Sequence, residues 1–144
     1  MIPKFNGSGN LTEGIHDATW DEIRERYGDN EHREGLLEGL RISLDFLKKA
    51  GCKLVYIDGS FVTSKRYPND YDCLWDTTGV DHTKLPDFFN PKKRKIQKFL
   101  LKGEFIPNNF IEKNTRTPFL DFFQTDKVTM ERKGIIKLKL EDFP

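Results

Sequence analysis

Apolar positions follow two rhythms along this chain. From Glu31 to Ala50, Leu36, Leu40, Leu44 and Leu47 recur every three or four residues, and Leu37 widens the stripe. That period predicts a long helix with one buried face, capped by Asp29-Asn30 and stopped at Gly51. Gly35 and Gly39 lie on one face of it, which predicts close packing against another backbone. Just upstream, Thr19 and Glu22 have the spacing of a capping box and start a shorter helix that ends near Gly28. Asn90-Pro91 opens a third helix, to Leu101, with Ile96, Phe99 and Leu100 as its expected buried side. The other rhythm alternates. Gly134 to Leu140 sets Ile136, Leu138 and Leu140 against Lys137 and Lys139, a half-buried strand. Thr117 to Thr125 reads as its antiparallel hairpin partner. Apolar runs at Lys53–Asp58 and Asp70–Asp76 predict two more strands, and Glu104–Pro107 a short extended piece. Residues 1–18 read as an irregular lead, in which His16 is a loop hydrogen-bonding group.

The two middle strands carry the chemistry. Asp70 and Asp72 are two apart on a strand and so project from one face. Paired carboxylates on a largely apolar strand suit Mg²⁺ or Mn²⁺, hard cations that take oxygen ligands. Between the strands, Gly59-Ser60 makes a turn leading into a short helical segment. Such a turn offers N–H groups and a hydroxyl to phosphate oxygens. Lys65 and Arg66 follow it and are placed to neutralise β- and γ-phosphates.

Gly59-Ser60, nine residues, then Asp70-Tyr71-Asp72 with apolar neighbours resembles the signature of the nucleotidyltransferase superfamily, the DNA polymerase β-like fold. Further stretches resemble a branch of small bacterial proteins of that superfamily: Gly14 to Trp20, Tyr56 to Trp75, Phe122 to Lys127 and Lys133-Gly134-Ile135. The resemblance implies an α+β fold, a mixed β-sheet with helices packed mainly on one side. It implies transfer of a nucleoside monophosphate from a nucleoside triphosphate to a hydroxyl of a protein, an RNA or a small molecule. Two Mg²⁺ ions would be held by Asp70, Asp72 and a third carboxylate on a later strand. Asp121, flanked by apolar residues in Phe119-Leu120-Asp121-Phe122-Phe123, matches best; Glu104 and Asp126 are the rivals. Gly59 and Ser60 would contact the triphosphate. A toxin–antitoxin or phage-defence setting, and a partner protein, also follow from the resemblance. The competing class is a non-catalytic nucleotide-binding or protein-interaction module, antitoxin-like. A third reading takes Val55 to Ser60 as similar to the nucleophile strand of haloacid dehalogenase-like phosphatases, with Asp58 as nucleophile.

Composition narrows the picture in a few respects. A chain of 144 residues predicts one domain, 1–144, with a single core. Charged residues make up 33% and aromatic ones 12%, too many aromatics for a disordered chain. The net charge of +1 gives no global pull toward nucleic acid. The Lys92–Lys95 run reads as a solvated helix surface, and Arg24, Arg26, Arg33 and Arg41 as a solvated face. Cys52 and Cys73 lack the spacing of a zinc site. The first residues lack a signal peptide's apolar core and no apolar run is long enough to span a bilayer, so a cytoplasmic protein is expected.

Overall fold

The computed structural model describes residues 1–144. Its strands are β1 (Gly14–Asp17), β2 (Leu54–Asp58), β3 (Tyr71–Trp75), β4 (Gly103–Pro107) and β5 (Gly134–Lys139). Its helices are α1 (Trp20–Tyr27), α2 (Glu31–Lys49), α3 (Arg94–Leu101) and α4 (Phe119–Phe123). The five strands form one mixed sheet in the order β1-β5-β2-β3-β4. The central β5, β2 and β3 run antiparallel to their neighbours within that trio, and each outer strand lies parallel to the one it joins.

Alternation along the strands sorts the side chains between two faces. One face presents Val55, Ile57, Cys73, Trp75, Phe105, Ile136 and Leu138, all buried under the leucine stripe of α2 together with residues of α1 and α3. The other presents Leu74, Ile106 and Ile135, which pack against Phe119 and Phe123 of α4. The expected α+β architecture is therefore present, with three helices on one side and the one-turn α4 on the other.

The helix ends form as the sequence predicts. Thr19 Oγ1 accepts from the Glu22 N–H at 3.2 Å, and Glu22 Oε1 accepts from the Thr19 N–H at 3.0 Å. The Asn30 side chain accepts from the Arg33 N–H at 2.8 Å. A Cβ on Gly39 would stand 2.0 Å from the Leu101 carbonyl oxygen, so glycine there lets α2 and α3 touch.

Several expectations fail, each for a physical reason. Residues 117–125 are not a strand: after Pro118 the chain turns into α4. Phe119 and Phe123 satisfy a spacing of two and a spacing of four alike, and burial of both under the sheet selects the helix. β5 consequently pairs with β1 and β2, and Thr125–Arg132 is only a single bridge. Gly14–Asp17, expected to be irregular, is the edge strand β1. The largest inversion is α3. Its buried residues are Gln97 and Leu101, while Ile96, Phe99 and Leu100 face outward. Gln97 is buried because it donates to the Phe88 carbonyl at 2.7 Å and accepts from the Phe105 N–H at 2.8 Å, so its amide is satisfied by backbone groups.

Candidate functional site

The β2–β3 hairpin register sets Asp58 opposite Asp72, and the parallel β3–β4 register sets Glu104 on the other side of Asp72. Residues paired across adjacent strands share a face. Asp70, two residues before Asp72, joins them. Four carboxylates thus gather at the beginning of β3, on the face that carries α4.

Three of the four are matched by a cation. Lys133 Nζ lies 2.9 Å from Asp58 Oδ1, Lys98 Nζ 2.9 Å from Asp70 Oδ2, and Arg94 Nη2 2.8 Å from Glu104 Oε2. Asp72 has no such partner. Burial, and then the charges of Asp58, Asp70 and Glu104, push its carboxyl up to about 7, with Lys127 opposing. Burial also raises Asp58, against the pull of Lys133. The site therefore pairs three of its four carboxylates directly and leaves Asp72 only the through-space pull of Lys127.

The turn between the strands is built on Gly59, whose φ of +91° and close approach to the β3 backbone exclude a side chain. Ser60 Oγ donates to the Asp70 carbonyl and accepts from the Asn69 N–H. The N–H groups of Phe61, Val62 and Thr63 already bond the carbonyls of Asp70, Gly59 and Ser60. The turn thus braces Asp70 directly, and its expected phosphate cradle is largely satisfied from within.

Lys65 and Arg66 do not join the carboxylates. Lys65 is exposed, and Arg66 lies over the Tyr67 ring and lines a hollow with Arg26, Asp29 and Asn30. Asp121 is placed differently from expectation as well. It sits on α4 rather than on a strand, is 56% exposed, and accepts from Arg132 Nη1 at 3.0 Å. Glu104, 19% exposed and in register with Asp72, takes the position of the third carboxylate. Asp126 is occupied as a loop knot: it accepts from the Asn10 side chain and from the Val128 and Thr129 N–H groups. His16 bonds the Thr12 carbonyl at 2.7 Å, as a hydrogen-bonding group, but from strand β1 rather than from a loop.

Two contributors escape a reading of the sequence alone. Asp58 becomes visible once the two strands are drawn as an antiparallel hairpin, which brings it opposite Asp72. Arg33 is not solvated but 3% exposed, and donates to the carbonyls of Phe61, Thr63 and Lys65. It ties α2 to the chain that follows Gly59-Ser60. Its place is readable in hindsight from the leucine stripe, since Arg33 stands three and four residues before Leu36 and Leu37 on the buried side of α2, whereas Arg41 is exposed.

Asp70, Asp72 and Glu104 are hard oxygen donors and so suit Mg²⁺ or Mn²⁺ in kind. No three acidic, histidine or cysteine side chains yet stand at ligand spacing, and Asp70 and Glu104 are turned to their basic partners. Ligation requires those ion pairs to exchange. The phosphatase reading fits poorly, because β2 is antiparallel to both neighbours and Asp58 is bound to Lys133. No helix is long and apolar enough to cross a membrane. Comparison with curated proteins and with solved structures returns no match. A family model matches residues 3–139, and the chain belongs to that family, a family of unknown function (DUF6932).

Proposed function

We propose that the carboxylate cluster at the beginning of β3 is a divalent-metal-dependent nucleotidyl-transfer site. One observation carries this reading: Asp72 is packed among three other carboxylates and makes no ion pair, while each of the three does. Asp70, Asp72 and Glu104 are the assigned metal ligands. Bound Mg²⁺ or Mn²⁺ would supply Lewis acidity toward the α-phosphate and lower the pKa of an acceptor hydroxyl. Arg94 and Lys98, one helical turn apart, point into the cluster and replace Lys65 and Arg66 as the phosphate-neutralising pair. Glu104 is the assigned base. As the acceptor oxygen bonds to the α-phosphorus, its proton passes to Glu104, and the bond to the leaving pyrophosphate breaks. Lys133 holds Asp58 through its Oδ1.

One feature favours the non-catalytic alternative, a nucleotide-binding or protein-interaction module. The amides after Ser60 are already bonded within the turn. The test incubates the protein with each α-labelled ribonucleoside triphosphate, Mn²⁺ or Mg²⁺, total RNA and cell lysate. Label should pass to RNA, protein or a small molecule with the wild type, and fall about a hundredfold or more in Asp72→Asn and Glu104→Gln. Metal-dependent nucleotide binding without any transfer would select the module instead.

A further inference from the structure

Helix α3 has two contrasting faces. Arg94, Gln97, Lys98 and Leu101, at three- and four-residue spacing, meet the sheet edge and the carboxylates. The outer face carries Ile96, Phe99 and Leu100, which are 46%, 85% and 54% exposed. Three large apolar side chains on one turn make a contiguous patch rather than scattered exposure. Lys95 stands one turn before Phe99, Lys92 lies in the 3₁₀ turn Pro91–Lys93 that leads into α3, and both are exposed. The ion pairs of this segment use Lys93, Arg94 and Lys98, which leaves Lys92 and Lys95 without a carboxylate.

We propose that the outer face of α3 docks an acidic amphipathic helix of a partner protein. Its apolar side chains would cover Phe99, Ile96 and Leu100, and its carboxylates would meet Lys92 and Lys95. Charge sets this choice. Residues 91–102 contain no aspartate or glutamate. A second copy seated face to face would therefore bring lysines together with nothing to neutralise them. Single-stranded nucleic acid needs aromatic platforms for its bases, and this face has one aromatic ring beside two aliphatic side chains. A partner here lies one helix diameter, ~10 Å, from Asp70 and Glu104. The docking surface itself does not depend on the nucleotidyl-transfer reading.

The test selects a displayed library of peptides of about 15 residues, long enough for four helical turns. Selection is made on the wild-type protein and counter-selection on Phe99→Glu, with no metal or nucleotide present. A failure of nucleotidyl transfer therefore leaves the result untouched. The expected peptides are net acidic with apolar residues at helical spacing. Their binding should weaken about tenfold or more in Phe99→Glu and in the double variant Lys92→Glu/Lys95→Glu, and weaken with added salt. Because Phe99 is so exposed, Phe99→Glu should unfold within about 2 °C of wild type; Phe99→Ser serves if it does not. The proposal is overturned by peptides that are basic or uncharged, by equal binding to both proteins, or by no enrichment. It is likewise overturned if the patch binds oligo(rU) or oligo(dT), or mediates a dimer in sedimentation, with either activity lost in Phe99→Glu.

Discussion

Asp72 is the residue at which structure and chemistry meet. Its raised carboxyl pKa makes a stability prediction whose sign is fixed. The folded state holds this proton to about pH 7, whereas the unfolded chain releases it near the ordinary carboxylate value of 3.8. Stability from this group is therefore complete below that lower value and is lost as pH rises through about 7. Asp72→Asn removes the penalty. Thermal unfolding should show the variant gaining on wild type between pH 4 and 7, then holding a constant lead above. At about 2–4 °C per kcal/mol for a chain of this size, the lead should be several degrees at pH 8. An equal difference at all pH values would mean that Asp72 is not so burdened. Asp121 and Glu104 give a second contrast. Glu104→Gln should abolish transfer activity, while Asp121→Asn, which loses only an exposed pair with Arg132, should change it by less than about threefold. Comparable losses in a transfer assay would restore Asp121 to the site.

Among the elements, the loop after Gly59-Ser60 depends on α2 through Arg33. Arg33→Met would leave the carbonyls of Phe61, Thr63 and Lys65 without their buried donor. The cost should be about 3 kcal/mol, with faster hydrogen exchange at residues 60–66 while β5 stays protected. Unchanged exchange there would show that the turn holds itself. Gly39→Ala tests the α2–α3 contact. The added methyl meets the Leu101 carbonyl, so it should cost about 1–3 kcal/mol in chemical denaturation and displace the helix that carries Arg94 and Lys98. These elements also show what a sequence discloses. The leucine stripe of α2, both N-terminal caps and the two acid-bearing strands were legible, since local spacing and cap chemistry determine them. α3 and α4 were not. Five residues such as Phe119–Phe123 fit both periods, and only the sheet above them chooses. In α3 the apolar side faces out because Gln97, Arg94 and Lys98 have partners on β4 and near β3 that no local pattern reveals. Glu104 as third carboxylate is likewise a product of strand register, which joins positions 72 and 104 across a helix.

For the whole molecule, the sheet separates two duties. One face, under α1, α2 and α3, holds most of the apolar core. The other concentrates charge where β2 ends and β3 begins, with the smaller α4 cluster beside it. The order β1-β5-β2-β3-β4 makes this possible, because β3 lies between β2 and β4 and so receives a carboxylate from each side. The proposed function requires a divalent cation at this carboxylate cluster. Calorimetric titration of Mn²⁺ at pH 8, with and without a nucleoside triphosphate, is the test. Saturable binding should appear in the wild type, weaken about fiftyfold or more in Asp72→Asn, and persist in Asp121→Asn. Absence of binding, or binding that Asp72→Asn leaves unchanged, would exclude a metal site at these carboxylates.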